Sequence, residues 1–294
     1  MEIGNLFGNN QEPPKDLFLA IQIQEDLVKT ALWEIQNGQP KVLNFGPVNN
    51  WADTESLLVS TDASLASALS DHQDLDVSRV IFGLPENWIK DDKISPDQAP
   101  LLKSLIEKLA LKPIGFVTTT EAIIQFLKFQ EGIPPTAIVL ELNLSRVNLT
   151  VTRLGQIVGR EEIARSEDLA KDVAEGLTRL NLQQLPARFV IINGSDSEAE
   201  QQLISYSWQD EFPFLHLPKV ELPETHFSIS AVAVAGGVEA ARSLGLEVAP
   251  PEEITSPRNG EQPQVPTPTA PVVITDDSLS ASDFGFVTQP ESEP

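Results

Sequence analysis

The chain has 294 residues, which at ~100–200 residues per domain allows one large domain or two smaller ones. Hydrophobic residues make up 41% and charged residues 21%, ordinary globular usage that excludes a collagenous or wholly disordered chain. Its 43 acidic against 20 basic residues give a formal charge of −23, which repels nucleic-acid backbones and anionic headgroups, and the lack of cysteine removes disulfides, thiol nucleophiles and thiolate-held metals.

Residues 1–16, with Pro13-Pro14, read as a flexible lead-in without the basic start and apolar stretch of a signal peptide. Three β-type runs follow, Leu17 to Ile23, Lys29 to Ile35 and Lys41 to Phe45, the last two joined by a hairpin signal around Asn37-Gly38. An amphipathic stretch at Ala63 to Leu69 comes next, then a strand Arg79 to Leu84, a helix Ser95 to Leu111, a strand Ile114 to Val117 and a helix Thr120 to Phe129. After Gly132-Ile133-Pro134-Pro135 the order starts again: strands Ala137 to Leu142, Val147 to Arg153 and Gln156 to Ile163, with a hairpin at Leu154-Gly155. A helix Ser166 to Leu182, a strand Arg188 to Ile192, a helix Ser197 to Tyr206, an extended piece Phe214 to Val220 and a helix Phe227 to Ser243 complete it. Two βββαβαβα units at a period of about 120 residues indicate a duplicated domain rather than a solenoid. The expected organisation is a first half over 17–133, a second over 134–246 and a disordered tail over 247–294. That tail holds 9 of the 23 prolines and a single basic residue, Arg258. A linker of this kind sets the expectation that the natural protein continues into another element, such as a membrane anchor. No apolar run here approaches the ~20 residues a spanning helix needs.

This order resembles the actin, Hsp70 and sugar-kinase superfamily over Leu17 to Leu246. LFLAIQIQEDLVKTALWEIQNGQPKVLNFG, from Leu17 to Gly46, resembles its first phosphate loop and hairpin, and Pro134 to Val158 resembles the second. Phe189 to Leu203 is similar to the strand, turn and helix that contact adenosine, and His226 to Arg242 to the closing helix. The resemblance implies a duplicated ribonuclease H-like (actin-like ATPase) fold, α/β, with two halves around a cleft. Within the superfamily the chain is most similar to the pilus-assembly protein PilM and the division protein FtsA.

Members of the family grip a nucleotide between the halves, with glycines that let backbone N–H groups reach phosphate and an aspartate at each hairpin for magnesium or the attacking water. The matching cleft positions here are Gln22 and Gln24 in the first loop, Glu141 and Asn143 in the second, Asn193 and Gly194 at the adenosine turn, and Gly236 in the closing helix. Gln22, Ile23 and Gln24 stand where the family has Asp-x-Gly, followed by Glu25 and Asp26. Glu141, Leu142 and Asn143 stand at the second Asp-x-Gly. No glycine lies between Gly8 and Gly38 or between Gly132 and Gly155, whatever the register. A carboxylate ~4 Å from a phosphate charge repels it by roughly 1 kcal/mol in water and ~4 at a protein-like dielectric. The phosphate cradle is therefore expected to be lost, with no cofactor and with ATP and magnesium disfavoured.

The remaining polar residues have plain readings beside functional ones. Lys29 is expected to face solvent on its strand, and Arg146 and Arg153 to be counter-charges on a solvated face. Glu121 is a first-turn glutamate behind a threonine cap, or an acidic group near nucleotide. Gly236-Gly237 must permit a close approach, to the sheet or to a ligand. His72, His216 and His226 show no metal spacing, and Trp33, Trp51, Trp88 and Trp208 read as core or rim. Three functions stay open: a non-catalytic scaffold for protein partners in a bacterial membrane-associated assembly, an active ATPase or small-molecule kinase using Glu141 and Glu121, and a protein that holds nucleotide without turnover. The expected location is the cytoplasm, at the periphery of the inner membrane.

Overall fold

A computed structural model describes residues 17–72, 77–193 and 197–243. Gly194 and the segments read above as lead-in and tail lie outside the described residues. In chain order the elements are β1 (Leu17–Ile23), β2 (Leu27–Gln36), β3 (Gln39–Phe45), β4 (Asn49–Asn50), α1 (Thr54–Ala68), β5 (Arg79–Leu84), β6 (Ile89–Lys90), β7 (Lys93–Ile94), α2 (Ala99–Lys108), β8 (Lys112–Thr118) and α3 (Thr119–Glu131). The second half continues with β9 (Ala137–Leu142), β10 (Arg146–Arg153), β11 (Gln156–Ala164), α4 (Leu169–Leu180), β12 (Arg188–Ile192), α5 (Ser197–Ser205), α6 (Trp208–Glu211), β13 (Lys219–Glu221) and α7 (Phe227–Ser243).

Two sheets repeat one topology, β3-β2-β1-β5-β8 and β11-β10-β9-β12-β13, with antiparallel hairpins on one side and parallel strands on the other. This is the duplicated ribonuclease H-like, actin-like ATPase fold that the resemblance implied. Both hairpin turns carry the left-handed backbone they need: Asn37 and Gly38 at φ 54° and 75°, Leu154 and Gly155 at 49° and 76°.

Each central strand is buried on both faces, and strand alternation divides its residues between two cores. On β1, Leu17, Leu19, Ile21 and Ile23 pack outward with Leu57 and Leu65 of α1 and Leu102 and Leu105 of α2. Phe18 and Ala20 point inward with Ala31 and Trp33 of β2. On β9, Ile138, Leu140 and Leu142 face the outer core with Val173 and Leu177 of α4, while Ala137 and Val139 face inward. The inner layer between the sheets is filled by α3, through Ala122, Ile123, Phe126 and Leu127, and by α7, through Ile229, Ala231, Val232 and Ala233. The molecule is thus five layers, α/β/α/β/α.

The close approach required at Gly236-Gly237 is to the first sheet. A Cβ on Gly236 would stand 2.7 Å from Ile81 Cγ2, and one on Gly237 would stand 2.4 Å from Pro40 Cβ. Helix α1 begins at Thr54, well before the expected Ala63, because Asp53 and Ser56 form a capping box that starts it in a polar stretch with little periodicity. Helix α4 is shorter than expected, capped by Asp168 and ended by Asn181 in the left-handed region. The extended piece after Phe214 forms a strand only at Lys219–Glu221, Phe214 itself making a lone bridge to Leu185. No helix among the described residues is long and apolar enough to cross a membrane.

Candidate functional site

Strand parity builds the cleft. Continuing the inward face of β1 past Phe18 and Ala20 brings Gln22 and then Gln24 to the inter-half layer, and continuing the inward face of β9 past Ala137 and Val139 brings Glu141 and Asn143 there from the other sheet. All four are buried. Asn193 follows the last residue of β12 with φ at 63°. Gly236 lies apart from them, against Ile81 of β5, so its smallness serves helix packing.

Lys29 is the main correction. It is 2% exposed, not solvent-facing, because it shares the inward face of β2 with Ala31 and Trp33 and pairs in register with Gln22. Its Nζ donates to Asn193 Oδ1 at 2.7 Å, to the Thr225 carbonyl at 3.0 Å and to Ser228 Oγ at 3.1 Å, all from the second half of the chain. Asn193 Nδ2 donates to Gln24 Oε1 at 2.9 Å, and Ser228 Oγ donates to Gln22 Oε1 at 2.8 Å. Gln22 and Gln24 are therefore drawn into a network that ties the halves together. An ammonium has three protons, and three acceptors take them here.

The hairpin tips also meet. Gln24 N donates to the Leu27 carbonyl and Asn143 N to the Arg146 carbonyl, so each loop turns tightly over two residues, Glu25-Asp26 and Leu144-Ser145. Ser145 Oγ donates to Glu25 Oε1 at 2.8 Å across the cleft. Arg146 is the exposed counter-charge expected, and it sits at the cleft: its Nε stands 3.6 Å from Glu25 and its Nη1 2.7 Å from Glu162. Arg153, half exposed, donates to the Gln184 carbonyl. Burial, reinforced by Glu25, pushes the Asp26 carboxyl upward from its ordinary value. Arg165 Nη1 holds the Asn143 carbonyl at 2.8 Å.

Glu141 is 4% exposed, and burial pushes its carboxyl up to about 7 against the stabilising Thr120 hydroxyl, which donates to Oε1. Burial also brings Lys29 down to about 8, the attraction of Glu141 opposing it. The Thr118 hydroxyl caps α3 by accepting from Glu121 N at 3.3 Å, which supports the first-turn reading of Glu121. Trp51 and Trp88, read as core or rim, come together edge to face with centroids 6.5 Å apart beside the cleft, while Trp33 and Trp208 are core. His226 stacks on Phe45 at 4.2 Å.

These residues fit a magnesium nucleotide poorly. Gln22, Gln24 and Asn193 fill the loop positions with hydrogen-bonded side chains, and every proton of Lys29 is engaged. Glu25 and Asp26 hold anionic groups at the first tip. Among the described residues no three His, Asp or Glu side chains are grouped so as to hold a metal ion.

No protein-family model matches the chain, and no curated protein does. Solved structures similar to it include a Bacteroides thetaiotaomicron protein of actin-like ATPase fold and unknown function, at 13% identity and TM-score 0.49, covering 74% of this chain and 96% of that one. The ethanolamine utilization protein EutJ of Carboxydothermus hydrogenoformans is similar at 12% identity and TM-score 0.48, covering 76% and 90%. Component A of the Acidaminococcus fermentans (R)-2-hydroxyglutaryl-CoA dehydratase is similar at 9% and 0.48, covering 76% and 99%. At these values the likeness reaches the course of the chain and not its chemistry.

Proposed function

We propose that this chain is a non-catalytic actin-like adaptor of the PilM and FtsA type, which recruits protein partners to a bacterial membrane-associated assembly such as pilus or division machinery. It works in the cytoplasm at the periphery of the inner membrane, and its tail supplies part of the recruiting surface. The observation that carries this reading is the Lys29 network: in place of nucleotide, a buried ammonium and the side chains of Gln22, Gln24, Asn193 and Ser228 join the halves. A protein held in one closed arrangement by its own groups presents a constant surface, which suits recruitment better than a turnover cycle.

One observation favours a second reading, an ATPase or small-molecule kinase. Glu141 is a buried carboxyl titrating at about 7 beside a cavity, as a general base requires. Thermal unfolding with and without ATP and magnesium, together with a phosphate-release assay, separates the two. The adaptor reading expects an unchanged melting temperature and no released phosphate. A rise with release would establish the enzyme, and a rise without release would establish nucleotide held as a structural ligand.

A further inference from the structure

Below the hairpin tips lies a cavity of about 250 Å³ that the Lys29 network does not fill. Trp51, Trp88 and Glu86 form its wall on the first half, and Glu141, Arg146 and Glu162 line it from the second. Arg146 neutralises Glu162 at 2.7 Å, and Arg160 stands 2.8 Å from Glu86. Glu141 is different. It is more than nine-tenths buried, Thr120 donates to its Oε1, and no described residue donates to its Oε2. A buried carboxylate with an oxygen left over, in a chamber that also has two indoles and further carboxylates, is complementary to a group with N–H donors, positive charge and an apolar stem.

We propose that this cavity receives one organic cation, a primary ammonium or a guanidinium, with its donors on Glu141 and its stem against Trp51 and Trp88. The cation is carried by a free small amine or by a basic side chain of a bound peptide. The volume admits a group the size of an arginine or lysine head. The inference stands on the cavity and not on the adaptor role, so an amine titration and an ATP titration fail independently.

The test is tryptophan fluorescence of the full chain titrated at constant ionic strength with agmatine and, separately, with a capped glycine-arginine-glycine peptide. Magnesium chloride and the uncharged N-butylacetamide are the controls. The expected result is a saturable change with at least one cation and none with either control. Agmatine alone would identify a free amine as the source, and response to both would identify a basic side chain. Glu141→Gln keeps the shape and the Thr120 contact and should weaken binding roughly fivefold or more. Glu162→Gln, at the exposed rim, should weaken it less and guards against a folding failure of the first variant. No saturable response to either cation, an equal response to magnesium or the neutral amide, or the same affinity in both variants would overturn the proposal.

Discussion

Lys29 and Glu141 are two buried charges whose surroundings only partly compensate them, so pH should reveal both. The folded state raises the Glu141 carboxyl from 4.5 to about 7, which means that its protonated form is favoured on folding. Its contribution to stability is complete below about 4.5 and is lost as pH rises through about 7. Lys29 goes the other way, from 10.5 down to about 8, so its contribution is present above about 10.5 and is lost as pH falls through about 8. The groups facing Glu141 are Lys29 of β2, Glu86 after β5, Thr120 of α3 and Arg160 of β11. Urea denaturation of Glu141→Gln should show a stability decline between pH 4.5 and 7 shallower than that of the unsubstituted chain; parallel declines would contradict the assignment. Lys29→Ala leaves Asn193, Ser228 and the Thr225 carbonyl without their donor and should cost roughly 2–4 kcal/mol. A loss below about 0.5 kcal/mol by urea denaturation would show that the network does not hold the halves. Gln22, Gln24, Glu141, Asn143 and Asn193 lie where the halves meet, a placement that strand parity on β1 and β9 makes plain. Lys29 was not legible there, since its partners lie 164 to 199 residues away and an isolated lysine in a strand reads as exposed. The alternation Lys29, Ala31, Trp33 was the signal that placed it inside.

At the scale of elements, periodicity located the four central strands Leu17–Ile23, Arg79–Leu84, Ala137–Leu142 and Arg188–Ile192 to the residue, because a strand buried on both faces is a bounded apolar run. Helix ends were less legible where caps rather than apolar spacing decide them, as at Asp53 for α1 and Asp168 for α4. The glycine pair of α7 was legible as a close approach, but what is approached required the tertiary structure. Gly236→Ala would push a methyl against the branched side chain of Ile81, on a strand that cannot retreat, and should destabilise by about 1–3 kcal/mol despite the better helix propensity of alanine. Chemical denaturation measures this directly, and a stabilised variant would show that the packing there is looser than described.

For the whole molecule, duplication was visible in the repeated order of elements and the resemblance implied two halves around a cleft, whereas the seat of α7 was not visible. Helix α7 follows the strands of the second half yet lies on the first sheet, with Gly83 so close to Val232 that a Cβ there would stand 2.4 Å from Val232 Cγ2. Together with α3 it cements one core between the sheets. On that framework the two halves are joined by an internal hydrogen-bond network centred on Lys29, which the adaptor proposal takes to stand in place of nucleotide. Isothermal titration of the full chain with magnesium ATP tests this most directly. No heat beyond dilution is expected, and the same null result is expected for Lys29→Ala, whose loop side chains still fill the cradle. Saturable binding of micromolar strength to the unsubstituted chain would contradict it.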